Sequence, residues 1–323
     1  MHNYFYVSPS PDGWQNLATD EWLLDHLGED DLILYFYINH NAVIIGKNQN
    51  PWKECNLPAM ERDNVQLVRR ITGGGAVFHD AGNLNFSFIA GNGRYSTDKQ
   101  FGMILEAVRA LGIPCELSGR NDLLADGHKF SGNAFCTRGH NSQHHGTLLL
   151  HADMTRLQNY LQVDPRKLKA KGVSSVRSRV CNLSEFRPDL TVPVMLDALR
   201  EAFRQTYGEF TAWRPTEEQR AEIAQYYLRH SSWDWRLGQT PQFDLELDTR
   251  FPWGGVQMLL TLNEGRITGL QVYSDTLDTG LPELLQGLLV GAKFGSAPMA
   301  EALRYSDNAQ VRDIAAWLRD ENL

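Results

Sequence analysis

The chain has little that would suit export, a membrane or a nucleic acid. Its 323 residues hold only four cysteines, Cys55, Cys115, Cys136 and Cys181, far apart and without a CxxC pair. That spacing offers no zinc site of familiar form, and each thiol reads as a small buried hydrophobe. The opening residues Met1-His2-Asn3-Tyr4-Phe5-Tyr6 lack a basic segment followed by an apolar run, so no secretory signal is expected. Reduced thiols and a cytoplasmic location are the corresponding expectations. No apolar stretch approaches the length of a membrane span, and no membrane partner is expected. Basic residues are outnumbered 31 to 39, a net charge of −8 that argues against nucleic acid as partner while leaving room for a local basic pocket. Several enzyme signatures are missing as well: no phosphate-binding P-loop, no GxGxxG, no GxSxG and no HExxH. A hydrophobic content of 42% is ordinary for a globular protein, and the length suffices for one large domain, or one large and one small.

What is present centres on Arg69-Arg70-Ile71-Thr72-Gly73-Gly74-Gly75-Ala76-Val77-Phe78-His79-Asp80. Three successive glycines are costly to order, which is easier to explain if bare backbone must lie close against something. Successive N–H groups in glycine turns can form an anion-binding concavity. Arginines supply forked donors that suit carboxylate or phosphate. The stretch reads as a cradle for an anionic ligand, or alternatively as a glycine-rich hairpin turn with its arginines in solvent.

Strand and helix patterns interleave along the rest of the chain. Strands are expected at 3–8, 31–38 and 42–45, the last two joined as a hairpin by Asn39-His40-Asn41. Helices are expected at 16–27, 98–111, 153–161 and from Pro193 to Tyr207. Adjacent strands often stand a short turn apart, which favours an α+β fold with a mixed, largely antiparallel sheet flanked by helices. The character changes between Gly208 and Trp233, with a helix at 216–228. Three strand patterns and three helices follow, with Asn263-Glu264-Gly265 as a turn. The expected organisation is a large domain at 1–210, a linker region at 211–232 and a small α+β C-terminal domain at 233–323.

Three further stretches carry chemistry. Ser118 to Ala134 reads as a hairpin turning at Asp126-Gly127, with Asn121 and Asp122 on one strand. On the other strand Lys129, Ser131 and Asn133 alternate and are expected on one face. His144-His145 are adjacent on a strand, so they point to opposite faces and do not chelate one metal together; one is expected to face a site or support it. Arg166 to Leu183 is rich in Lys and Arg, including Lys171, Arg177 and Arg179, in a net acidic protein. It reads either as a solvated charge run or as a basic loop that closes over an anion.

Together with Asn50 to Asn56, these motifs resemble the lipoate–protein ligase A family in its bacterial two-domain form. The likeness covers nearly the whole chain, with the motifs in order. It implies the fold shared with biotin–protein ligases and octanoyltransferases. It also implies a two-step reaction in which lipoate and ATP give lipoyl-AMP, and the lipoyl group then passes to a lysine of an acceptor. The implied ATP and adenylate contacts are Arg70, Gly75, Ala76, Val77, Phe78 and Lys129. The implied lipoate contacts are Gly73, Gly74, Gly75, His79, Lys129 and His145, with Lys129 as the catalytic residue touching both the lipoate carbonyl and the α-phosphate. Asn121, Asp122, Ser131, Asn133, Lys171, Arg177 and Arg179 are further candidates, and the basic loop looks like an adenylate-binding loop. Mg²⁺ is expected with ATP, held partly by phosphates and Asp122. Implied partners are free lipoate, ATP, the lipoyl domains of 2-oxoacid dehydrogenase E2 subunits and the glycine cleavage H protein. Thr72 departs from the serine expected in many relatives but keeps the hydroxyl. The competing readings are an acyltransferase of the same fold that needs no ATP, a lipoate-binding protein without catalysis, and a biotin ligase.

Overall fold

In the computed structural model, residues 1–119, 121–161, 180–238 and 244–321 are described. The strands of the first two-thirds are β1 (Asn3–Val7), β2 (Leu32–Tyr37), β3 (Ala42–Ile45), β4 (Gln66–Arg69), β5 (Val77–His79), β6 (Asn83–Gly91), β7 (Cys115–Ser118), β8 (Asp122–Ala125), β9 (His128–Arg138), β10 (Asn141–Leu149) and β11 (Thr211–Ala212). Eight of them form one sheet in the order β11-β1-β2-β6-β10-β9-β8-β7. The β1–β2 and β1–β11 pairs are parallel, and the others in this sheet are antiparallel. A second sheet, β4-β3-β5, stands beside it.

The hairpin expected between β2 and β3 does not form, because β3 belongs to the second sheet and pairs with β4 and β5. All six residues of β2 are buried, as suits a strand covered on both faces between β1 and β6. The connecting Asn39 is itself buried: it accepts from Asn16 Nδ2 (2.9 Å) and donates to His79 Nδ1 (3.0 Å). Asn41, at φ +52°, then turns the chain out of the sheet plane.

Helix α1 (Gly13–His26) starts where the Asp12 side chain accepts from the N–H groups of Trp14 and Gln15. It has no solvent face in its middle: Asn16, Thr19, Asp20 and Glu21 are all buried. The cause is a layer on each side. One flank lies on the main sheet. The other is covered by a later helix, Glu217–Ser231, which Thr216 and Gln219 cap reciprocally. Trp22 Nε1 donates to Glu222 there (2.9 Å), and Glu21 takes His230 Nε2 (2.7 Å) together with Arg229. Residues 211–232, expected as a linker, thus form β11 and this helix, both laid against the larger unit.

Short helices α2 (Pro51–Glu54) and α3 (Leu57–Arg62) precede β4, and α4 (Thr97–Ala110) follows β6. A single turn, α5 (Leu157–Tyr160), stands where a helix from Asp153 was expected. Asp153 instead closes a local turn by accepting from Thr155 N (2.9 Å). Helix α6 (Val192–Tyr207) packs with α4 over one face of the main sheet. The helix over α1 is α7 (Glu217–Ser231), and the turn α8 (Trp233–Arg236) follows it. Phe86, Phe88, Phe130 and Leu34 of the sheet and Phe203 of α6 are fully buried between the sheet and α4 and α6, each contributing about 1.5–3 kcal/mol by removal from water.

The remainder is a three-stranded antiparallel sheet, β12 (Leu245–Phe251), β13 (Gly254–Asn263) and β14 (Arg266–Ser274). Helices α9 (Leu281–Leu289), α10 (Ser296–Leu303) and α11 (Ala309–Asp320) pack on it around Leu260, Ile267, Leu285 and Ile314. The turn between β13 and β14 has Glu264 at φ +50° and Gly265 at φ +72°, the two positive values a two-residue hairpin turn requires. This unit touches the larger one where Gly74 N donates to Thr276 O (3.0 Å) and Ser274 N to Asn48 O (2.8 Å).

Candidate active site

One face of the main sheet is apolar, and the other combines an apolar region under α1 with a buried polar row, as alternation in β6 shows. Leu84, Phe86 and Phe88 point to the α4 and α6 side. Asn83, Asn85 and Ser87 occupy the intervening positions and are also buried. Opposite Ser87 and Asn85 in register stand His145 and Thr147 of β10. Gln143 of the same row donates to Ser87 Oγ (3.0 Å). A buried polar row needs internal partners, and this one faces α1 and the second sheet.

The arginine–glycine stretch lies on that side, and the structure uses its arginines differently from a solvent-exposed cradle. Arg69 is 4% exposed and donates to five carbonyls, those of Gly46, Lys47, Gln49, Trp235 and Arg236. It ties the loop after β3 to the chain after α7. Arg70 is 9% exposed, and its donors go to Thr72 Oγ1, Gly73 O, Gly75 O and Ile44 O. Burial lowers both guanidinium pKa values to about 10. Arg70 therefore holds the glycine loop in shape from inside.

The glycines differ in what they allow. A Cβ on Gly73 would stand 2.4 Å from Thr276 O, so bare backbone is needed there for contact with the C-terminal unit. Gly74 has φ +97°, which favours glycine outright. Gly75 has open space where a Cβ would lie. Beyond it Ala76 and Phe78 pack toward Cys55 and Met60, and Val77 packs toward the opposite cluster with Leu17 and Ile44. The Phe78 ring stacks on Tyr160 at 5.6 Å, and the Arg156 guanidinium lies 4.7 Å from its centre.

Lys129 is placed by a bulge. In the β8–β9 ladder Leu123 faces Ser131, but Leu124 faces Lys129, so one residue of β9 is extra. Lys129 thereby shares a face with Asp122, and its Nζ lies 2.6 Å from Asp122 Oδ1 with both side chains about one-third exposed. Its stem passes over Gly132. The expectation that Lys129, Ser131 and Asn133 share one face is thus corrected: the extra residue turns Ser131 and Asn133 to the buried side. Asn133 donates to Ser131 Oγ (3.2 Å) and to Asn121 O (3.0 Å), while Asn121 Nδ2 donates to Asn133 O (3.1 Å). These two asparagines clip the start of β8 to β9. After the basic stretch the chain returns beside the same strand, with Cys181 N donating to Lys129 O (3.0 Å).

The two adjacent histidines do point apart, as expected. His144 lies on the apolar side, ringed by Phe86, Phe88, Phe101 and Phe135. Its Nε2 meets Asn133 Oδ1 (2.9 Å), and burial followed by the nearby His145 drops its pKa to about 3. His145 lies on the polar side, between Thr72 Oγ1 (2.7 Å) and Asp20 Oδ2 (3.2 Å). His79 accepts from Asn39 at Nδ1, and its buried Nε2 has no hydrogen-bond partner among the described residues. Burial first, then the charges of Arg70 and His145, hold its pKa near 3.

Lys171, Arg177 and Arg179 lie outside the described residues. Among the described residues no group of three His, Cys, Asp or Glu is placed to hold a metal ion, and no helix is long and apolar enough to cross a membrane. Asp122 is engaged by Lys129, so a magnesium ion here fits only as one brought by nucleotide phosphates. Sequence reasoning missed Asp20, the Asn83-Asn85-Ser87 row and Arg156. The row was legible as polar residues alternating with Leu84, Phe86 and Phe88. Asp20 left no signal, because an acidic residue in a helix reads as solvent-facing.

The glycine loop, the buried polar row and the bulge-set Lys129 all belong to one large unit, with a smaller one against it. Residues 12–204 match the family described as the lipoyl protein ligase A/B catalytic domain, and residues 240–318 match the bacterial lipoate protein ligase C-terminus. The chain belongs to the lipoyl protein ligase A/B family. It is 40% identical to a lipoate-protein ligase A of Psychrobacter cryohalolentis over 95% of each chain. Among solved structures, P. falciparum LipL1 in complex with lipoate matches 99% of this chain and all of that one, at 28% identity and TM-score 0.87. A lipoate-protein ligase A bound with ATP matches 74% of this chain and all of that one, at 29% identity and TM-score 0.64. The similarity to both identifies the fold as that of the lipoate ligases, with a C-terminal unit added.

Proposed function

We propose that this protein is an ATP-dependent lipoate–protein ligase working through lipoyl-AMP. The observation that carries the reading is the Lys129 ammonium, held by the β9 bulge and Asp122 on one face of the sheet, about one-third exposed. In the first step a carboxylate oxygen of lipoate attacks the α-phosphorus of ATP, the bond to pyrophosphate breaks, and lipoyl-AMP forms. Both reactants are anions, so the step needs them held together with their charge offset. Lys129 supplies that cation by placement. In the second step the amine of an acceptor lysine attacks the acyl carbon, AMP departs, and the amine proton is lost to solvent or a base. No enzyme nucleophile is required. The cysteines fit this: burial pushes the Cys136 thiol pKa up to about 12 and that of Cys181 to about 11, so neither is a ready thiolate.

In this reading Gly73 to Phe78 lie along the acyl-adenylate, with Arg70 shaping the loop rather than gripping phosphate through free donors. Val77 lines the apolar side. His79 Nε2, a buried donor without a hydrogen-bond partner among the described residues, is free to bond a ligand in this reading. Magnesium arrives with ATP and screens its phosphates. Acceptors are lipoyl domains of 2-oxoacid dehydrogenase E2 subunits and the H protein, and the reaction runs in the cytoplasm. The test is incubation with free lipoate and ATP labelled at the α-phosphate, without acceptor. Lipoyl-AMP and an equal amount of pyrophosphate are expected. An acyltransferase that takes its acyl group from a carrier leaves ATP untouched.

A further inference from the structure

Asp20 belongs to none of the motifs above, yet it starts a hydrogen-bond chain that ends in the glycine loop. Its Oδ2 lies 3.2 Å from His145 Nδ1. The other ring nitrogen, Nε2, lies 2.7 Å from Thr72 Oγ1. Arg70 Nε donates to the same Thr72 oxygen (3.1 Å). Arg70 Nη2 then reaches Gly73 O (2.7 Å) and Gly75 O (2.8 Å). Asp20, His145, Thr72 and Arg70 are each at most 9% exposed. One chain of bonds therefore crosses from α1, through β10, to the loop.

For a neutral His145 ring, donor and acceptor chemistry sets the direction of every link. A carboxylate only accepts, so the His145 ring carries its hydrogen on Nδ1. Its Nε2 then accepts, and the Thr72 hydroxyl is the donor. The lone pairs of Thr72 are left for the Arg70 Nε–H. With the other tautomer, Thr72 would meet two N–H donors, and its own hydrogen would be buried without this acceptor. Asp20 also keeps Oδ1 buried without a hydrogen-bond partner among the described residues. A buried, half-satisfied carboxylate is a costly choice if only packing is needed at this point.

We propose that Asp20 is a positioning residue for acyl activation: it sets the His145 tautomer, which orients the Thr72 hydroxyl, which holds Arg70 and with it the Gly73 and Gly75 carbonyls. The functional half rests on the ligase reading, in which this loop holds the acyl-adenylate. Asp20 touches neither substrate nor Thr72 and acts through His145.

The first experiment needs no variant of Asp20 and no activity. Ring ¹⁵N–¹H correlation spectra of the wild-type protein at neutral pH report the tautomer, with the His145 signals assigned by their loss in His145→Gln. A neutral ring protonated at Nδ1 is expected. Protonation at Nε2 alone, or at both nitrogens, overturns the relay. The second is a cycle of Asp20→Asn, Thr72→Val and the double variant, read as the single-turnover rate of lipoyl-AMP formation per folded enzyme. Each single change is expected to slow the step about 10- to 100-fold, with the double variant no slower than the worse single one. Thr72→Ser, which keeps the hydroxyl, should stay near wild type. Losses that multiply, a folded Asp20→Asn within about threefold of wild type, or Thr72→Val as fast as Thr72→Ser, overturn the positioning role. Should Asp20→Asn fail to fold, the tautomer and the Thr72 pair decide. A wild-type protein that forms no lipoyl-AMP contradicts the ligase reading instead, and the tautomer still decides the relay.

Discussion

Replacing Lys129 by methionine should separate catalysis from stability cleanly. The substitution keeps most of the stem over Gly132 and removes the ammonium. Asp122 loses its partner at 2.6 Å, but both side chains are about one-third exposed, so water takes over. Such an exposed pair contributes about 0–1 kcal/mol. For a unit of 150–250 residues that is a melting shift of no more than about 4 °C. The activation step is different, because in the proposed reaction the ammonium offsets charge on two anions brought together. Loss of one such fixed group typically costs about 10²–10³ in rate, or about 3–4 kcal/mol. The assay is single-turnover formation of lipoyl-AMP, with a thermal melt on the same preparation. A rate within about threefold of wild type in a folded Lys129→Met protein would refute the role given to this lysine. A large fall in melting temperature would refute the claim that the pair is mainly functional.

Glu21 is the opposite case. Burial alone would raise its pKa, but hydrogen bonds from His230, Arg229 and Arg138 outweigh that and hold it at about 2. Glu21→Gln, which leaves those partners facing a neutral amide, should cost about 3–5 kcal/mol in urea denaturation. Acid should destabilise the protein in two windows. His79 and His144 have folded pKa values near 3 against an ordinary 6.5, so the unfolded chain binds more protons below about 6.5. Stability from these two is full above that pH and falls by about 1.4 kcal/mol per histidine per unit on acidification. The Glu21 contribution is full above about 4.5 and is lost as pH falls toward 2. Urea midpoints from pH 8 to 4 check the first window, and a slope unchanged by His144→Gln would contradict it. Finally, Gly46→Ala places a Cβ 2.2 Å from Gly74 O and should disturb the loop, whereas Gly75→Ala meets open space and should fold normally. Melting curves of the two variants distinguish them, and equal behaviour would contradict the described loop packing.

Much of the frame was legible from sequence because periodicity and turn chemistry act locally. The α1, α4 and α6 patterns, the Asn263-Glu264-Gly265 turn and the mixed sheet all follow from such signals. The failures have non-local causes. Asn39-His40-Asn41 has good turn residues, but Asn39 is held inside by Asn16 and His79, which no local pattern reveals. The β9 bulge inserts one residue and flips every side chain after it, which strict alternation cannot anticipate. Arg69 and Arg70 were legible as important, but their partners are carbonyls brought from Ile44, Gly46 and Trp235 by the fold. Asp20 and Glu21 were not singled out from sequence, because nothing local marks them for burial. They are buried because α1 has the sheet on one side and α7 on the other.

The most direct test of the ligase account is the intact mass of an apo lipoyl domain after incubation with this protein and free lipoate, with and without MgATP. A gain of one lipoyl group that appears only with ATP is the predicted result. No gain with a competent acceptor, or a gain independent of ATP, would contradict it.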